Sequence, residues 1–195
     1  MIRHGIAALW LLLAAAFAGT GPGLAEPVVS EKVEYYDVTG NTPQEIRQDL
    51  NRIGPMGDAG RTRYDATTHW YVRWRYNYAR TAQGCSISSV SLTVEVAIKM
   101  PRLAPSPNRL ATVTSAFEDF SKNLMTHEKG HAQNGIDIAR RIEEGIRQLP
   151  PESSCERLGE IANALGNSLI KEANRLDIEY DARTQHGRTQ GARFP

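Results

Sequence analysis

The chain has 195 residues, 41% of them hydrophobic and 23% charged, close to an ordinary globular composition and sized for one domain. Twenty-three Lys and Arg stand against 22 Asp and Glu, for a formal net charge of +1. There is therefore no basic field to hold nucleic acid and no acidic tail, and no nucleic-acid partner is expected.

The first 25 residues read as a targeting segment. Arg3 and His4 form a short positive region, Ile6 to Ala18 is almost unbroken apolar sequence, and Gly21-Pro22-Gly23 interrupts it. Gly23-Leu24-Ala25 then offers the small residues that a signal peptidase reads, so a mature chain 26–195 starting at Glu26 is expected, in the periplasm or secreted. The apolar run falls short of the roughly 20 residues that span a bilayer, so no stable membrane insertion follows cleavage. Export decides how the two cysteines, Cys85 and Cys155, are read. In an oxidising compartment an even pair implies one disulfide, and closing so long a loop contributes on the order of 4 kcal/mol.

Beyond residue 30 the first half is β-rich. Glu31 to Val38 has strand composition, and Thr42-Pro43-Gln44-Glu45 starts a helix with a capping box and a proline at its first position. Gly54, Pro55, Gly57 and Gly60 end that helix in a loop. Trp70, Val72, Trp74, Tyr76 and Tyr78 alternate with Tyr71, Arg73, Arg75 and Asn77. After a turn at Gln83-Gly84, Val90, Leu92, Val94, Val96 and Ile98 alternate with Ser91, Thr93, Glu95 and Ala97. Both segments read as half-buried antiparallel strands, with Pro101, Pro105 and Pro107 marking the connection that follows.

From about Arg109 the period becomes helical. Phe117, Phe120, Leu124, Ile138, Ile142, Ile146 and Leu149 form one broad stripe, which ends at Pro150-Pro151. Ser153 with Glu156 suggests the cap of a second helix, whose stripe runs from Leu158 to Tyr180. The short connection implies an antiparallel pair, and Thr184 to Pro195 reads as an extended tail. The expected fold is α+β: a small antiparallel sheet packed on a long helix, with a second helix antiparallel to it.

His127-Glu128-Lys129-Gly130-His131 is an HExxH motif inside that long helix. Residues four apart share a helix face, so the two imidazoles can grip one zinc ion while Glu128 stands beside them as general base. The apolar stripe passes through both histidines, which puts them where a ligand belongs rather than on a solvated face. A catalytic zinc needs a third protein ligand and an open position. The metzincin extension is absent, since Asn134 and Asp137 occupy its glycine and third histidine positions. At ~1.5 Å rise per residue, equal path lengths from the Pro150-Pro151 turn set roughly residues 174–181 opposite the motif. The candidates are Asp177, Asp181 and, just beyond, His186; Glu172 is close enough to consider.

The HEKGH block, the segment Tyr180-Asp181-Ala182-Arg183-Thr184-Gln185-His186-Gly187 and the following Gln190-Gly191-Ala192 together resemble a bacterial family. That family was catalogued first as a domain of unknown function and then as predicted secreted zinc-dependent proteases. The likeness also covers the Trp/Tyr-rich strand and the Cys85 region. It implies that Tyr180, Asp181, Thr184 and His186 belong to the site, and it implies no particular substrate. His186 is the expected third ligand, with Asp181, Asp177 and Glu172 as alternatives. Tyr180 is either a core aromatic or a donor to the developing oxyanion. His69 and the Arg73/Arg75 face read as solvated or satisfied groups.

The expected function is thus an exported zinc metallopeptidase that hydrolyses peptide bonds with Glu128 as base. Its rival is a non-enzymatic exported module whose metal is structural or serves a partner.

Overall fold

The computed structural model describes residues 26–57, 60, 62–82 and 84–195. The expected signal peptide, 1–25, lies outside them. Among the described residues no helix is long and apolar enough to cross a membrane.

The elements follow in the order β1 (Val28–Val38), α1 (Pro43–Ile53), β2 (Thr67–Thr81), β3 (Gly84–Leu103), α2 (Ala111–Arg147) and α3 (Cys155–Thr184), with a 3-10 turn at Arg188–Gln190. The fold is α+β, as the two periodicities require. α1 begins as read: the Thr42 hydroxyl accepts from the Glu45 amide, and the Glu45 carboxylate reaches back to the Thr42 amide.

β2 and β3 form the antiparallel hairpin, paired from Thr67↔Lys99 to Thr81↔Gly84, with one bulge between Asn77 and Tyr78. β1 adds to the other side of β3 in parallel, from Val28↔Thr93 to Val38↔Leu103. The sheet order is β1-β3-β2 and the sheet is mixed rather than wholly antiparallel. Strand direction is set by the route through α1 and β2, which the side-chain pattern of β1 does not record. Pro101 lies inside β3, not in the connection after it. The strand tolerates it because β2 pairing stops at Lys99, so on that flank the missing N–H has no partner to lose.

The inner face of β3, Val90, Leu92, Val94, Val96, Ile98 and Met100, is buried under α2 through Phe117, Phe120, Leu124, Ala132, Ala139, Ile142 and Ile146. The aromatic face of β2 carries α3. Trp74 Nε1 donates to Asn163 Oδ1 at 3.1 Å, and the Tyr76 hydroxyl donates to the Gly159 carbonyl at 3.2 Å. Both helices are notched for the indoles. A Cβ on Gly135 of α2 would stand 2.6 Å from Trp70, and one on Gly166 of α3 2.6 Å from Trp74. The β2 aromatics therefore set where the two helices sit against the sheet.

Cys85 and Cys155 are bridged, with Cα atoms 5.1 Å apart across a separation of 70 residues. The bridge holds the hairpin turn beside the inter-helix turn, where Cys85 and Glu152 exchange backbone hydrogen bonds of 2.7 and 2.9 Å. That pairing keeps the chain extended up to Cys155, so the N-cap of α3 is Ser154, which accepts from the Arg157 amide, rather than Ser153. The tail is not an extended segment either. It turns back after α3 and buries Ala192 and Phe194.

Candidate metal centre

α2 presents His127 and His131 one turn apart toward α3, and α3 presents Asp177 and Asp181 one turn apart toward α2. The antiparallel register set by the disulfide end of the helix pair brings the four to one level. His127 Nε2 is 3.1 Å and His131 Nε2 3.2 Å from the same Asp181 Oδ1. His127, His131 and Asp181 form a group that can hold a metal ion.

The outer hydrogen bonds explain why these atoms converge. His131 Nδ1 donates to Asp177 Oδ1 at 2.9 Å, and His127 Nδ1 donates to the Gln190 amide oxygen at 3.0 Å. A carboxylate and an amide oxygen can only accept, so each imidazole carries its proton on Nδ1 and turns its Nε2 lone pair inward. With both rings neutral, two inward lone pairs would face a carboxylate oxygen; either a proton on His131 Nε2 or a bound cation resolves that arrangement. Donors bound at about 2.0–2.1 Å around a tetrahedral ion lie about 3.3–3.4 Å apart, close to the spacings here.

Asp177 is itself held by Trp70 Nε1 on Oδ2 at 2.8 Å and by Asn134 Nδ2 on Oδ1 at 2.7 Å. It is thus an outer partner of His131. The strand indole that notches into Gly135 also locks the carboxylate that orients a histidine.

Glu128 is buried, and the Thr68 hydroxyl donates to its Oε2 at 2.7 Å. Burial raises the Glu128 pKa above the ordinary carboxylate value, against the Thr68 hydrogen bond and the His131 and His127 imidazoles, which lower it. β2 thus fixes the direction of the side chain next to the two histidines.

Tyr180, read as either a core aromatic or an oxyanion donor, stands against His127. Its ring stacks on His127 at 5.0 Å and 9°, and its hydroxyl donates to the His127 carbonyl at 3.3 Å while accepting from Gln190 Nε2 at 3.1 Å. That hydroxyl packs against Gly130, where any Cβ would collide with it. Tyr180 therefore supports His127 from behind, and Gly130 is small to admit it. Thr184 is buried beside the same ring, its hydroxyl donating to the Tyr180 carbonyl at 2.8 Å.

His186 stands at the rim of the site. Its Nδ1 is 3.3 Å from Asp181 Oδ1, its side chain is 57% exposed, and its ring lies 5.4 Å from that of Tyr64. Gln185 and His186 both have φ of 52°, a left-handed pair uncommon outside glycine. Asp181, not His186, makes up the group of three with His127 and His131. Glu172 is away from the site, its carboxylate engaged by Arg141 through two bonds of 2.9 Å. His69 lies on β2 opposite Ala97, outside the group, and Arg73 pairs with Glu95 on the outer sheet face.

Sequence reasoning missed Thr68, Trp70, Asn134 and Gln190. Asn134 carried a signal, three residues beyond His131 on one helix face. Thr68 and Trp70 carried none, because their partners lie across the fold.

Burial disfavours a charge on Asp181, yet the neighbouring imidazoles, His131 above all once protonated, outweigh it and hold the carboxyl well below its usual range. Burial likewise opposes a charge on His131, but the Asp177 and Asp181 hydrogen bonds raise its pKa to about 9. Without an ion, His131 thus holds a proton at neutral pH. An ion entering on Nε2 must displace it, so affinity should rise about tenfold per pH unit from pH 7 and level off near pH 9. Chelator competition at a series of pH values measures this; an affinity flat between pH 7 and 8.5 contradicts it.

No curated protein and no solved structure matches the chain. One family model, described as a bacterial protein of unknown function, matches residues 33–187. That span holds the end of β1, all of β2 and β3, the helix pair and both histidine segments, and the chain belongs to this family, DUF922.

Proposed function

We propose that the protein is an exported zinc-dependent peptide hydrolase, with the ion held by His127 Nε2, His131 Nε2 and Asp181. The observation that carries this reading is the convergence of two outward-pinned imidazoles on one Asp181 oxygen, with a buried carboxylate, Glu128, next in sequence to a ligand. The donor set of two nitrogens and one oxygen suits zinc, and three protein ligands leave a position open.

When bound, such an ion acidifies water and polarises a carbonyl. The chain's own residues do the rest. Glu128, directed by Thr68, takes a proton from the attacking water and later delivers it to the departing amide nitrogen. The C–N bond breaks and one water is consumed, giving a free carboxylate and a free amine. Asp177, Gln190 and Tyr180 keep the imidazoles in place. His186, exposed at the rim beside Tyr64, is the residue facing an incoming substrate.

Export is supported by the disulfide and by the N-terminal sequence. Against a purely structural metal stands Glu128: a closed site has no use for a buried carboxylate held beside its ligands. The test is a pool of unstructured peptides incubated with zinc-loaded mature protein and read by mass spectrometry. Cleavage that a chelator stops and zinc restores is expected. Intact peptides at enzyme-stoichiometric concentrations, with the zinc shown to be bound, would favour the non-enzymatic module.

A further inference from the structure

We propose, resting on the metal-centre reading above, that the segment after α3 is a strap that sets His127 for metal binding, with Gln190 as positioning residue and Phe194 as anchor. The strap begins with the three successive left-handed residues Gln185, His186 and Gly187, at φ 52°, 52° and 80°, which reverse the chain at the end of α3. Gly187 then passes so close to His127 that a Cβ on it would stand 3.0 Å from the imidazole Cγ. The Ala192 amide closes the loop on the Gly187 carbonyl at 3.0 Å.

The far end is fastened to α2. Asn123 Nδ2 donates to the Gly191 carbonyl at 3.1 Å, and Phe194 joins Phe117 and Phe120 with ring centroids 5.4 and 5.6 Å away. Phe117, Phe120, Asn123 and His127 lie on the same helix. α2 therefore carries both the ligand and the docking points of the strap that orients it, and the position of Gln190 relative to His127 is fixed over about three helical turns.

Between these ends, Gln190 is gripped twice, by His127 Nδ1 on its oxygen at 3.0 Å and by the Tyr180 hydroxyl on its nitrogen at 3.1 Å. With its hydroxyl proton on the His127 carbonyl at 3.3 Å, Tyr180 is left to accept from Gln190 Nε2, which turns Oε1 toward His127 Nδ1. The amide oxygen then keeps the His127 proton on Nδ1 and leaves Nε2 free for the ion. His131 receives the same service from Asp177, a neighbour on the facing helix. His127 receives it only because the last residues of the chain fold back.

The experiment uses the full mature chain with Gln190→Met, which keeps length and loses the acceptor, and Gln190→Glu, which keeps an acceptor. Zinc affinity is read by chelator competition, and imidazole N–H protons are read by NMR of the cobalt-loaded protein. Gln190→Met should weaken zinc binding roughly 10–100-fold and lose one of two slowly exchanging, strongly shifted N–H signals. Gln190→Glu should restore most of the affinity and the signal, and Phe194→Ala should shift affinity in the direction of Gln190→Met. Wild-type affinity and both signals in Gln190→Met would overturn the proposal. So would equal losses in Met and Glu variants with both signals intact, since that is the mark of packing alone. A wild-type protein that takes up neither zinc nor cobalt would overturn the metal-centre reading itself.

Discussion

Asp181→Ala is expected to weaken metal binding by well over the roughly 10–100-fold that loss of an outer partner costs. Its Oδ1 is the point on which both Nε2 atoms converge, at 3.1 and 3.2 Å, and its charge is the one that offsets the ion most directly. Without it two neutral imidazoles remain, and the ion exchanges a carboxylate for water. Asp177→Asn should fall in the outer-partner range, because it removes only the acceptor on His131 Nδ1. Glu172→Ala should leave binding unchanged, since that carboxylate serves Arg141 on the surface. His186→Ala should cost less than Asp181→Ala, its side chain being 57% exposed at the rim. Chelator competition on the four variants gives the order, and a greater loss in His186→Ala than in Asp181→Ala would return His186 to the place of third ligand.

Glu128→Gln should keep the fold and the metal and lose hydrolysis by roughly 10²–10⁴-fold, the usual contribution of a placed general base. The substitution is close to isosteric, and the amide oxygen can still accept from the Thr68 hydroxyl, so the buried site stays satisfied. What disappears is the ability to take and return a proton. Thr68→Val should lower the rate by less, since it loosens the carboxylate without removing it. Rates on any peptide cleaved by the wild-type protein decide the point. Turnover by Glu128→Gln at the wild-type rate, with zinc content unchanged, would remove Glu128 from the chemistry.

Much of this arrangement was written in the chain. The α+β division follows from two strands of period two and two stripes of period 3.6. HExxH marks the two histidines and the neighbouring carboxylate of the candidate site, and equal path lengths from the inter-helix turn bring 174–181 to their level, where Asp177 and Asp181 stand. Choosing among the residues at that level was harder. His186 has the residue type that zinc favours, but the left-handed turn at Gln185-His186 carries it to the rim, and a backbone reversal of that kind has no signature in a sequence read without its packing. Asp177 and Asp181, four apart on one face, could not be told apart until Trp70 and Asn134 were seen to hold the first. Tyr180 sits on the apolar stripe and next to the site at once. Only Gly130, an unremarkable x in the motif, shows that its hydroxyl is spent on packing and on Gln190. The tail looked extended because its composition is polar, and its burial rests on two apolar groups, Ala192 and Phe194, spaced too sparsely to form a period.

The central claim is that His127, His131 and Asp181 together bind a metal ion. X-ray absorption on the mature protein carrying one equivalent of zinc tests it most directly. The account predicts a shell of nitrogen and oxygen only, two imidazoles with a carboxylate oxygen at about 2.0–2.2 Å, losing imidazole scattering in His127→Ala and His131→Ala. A shell without imidazole, or a folded protein that retains no zinc, would contradict it.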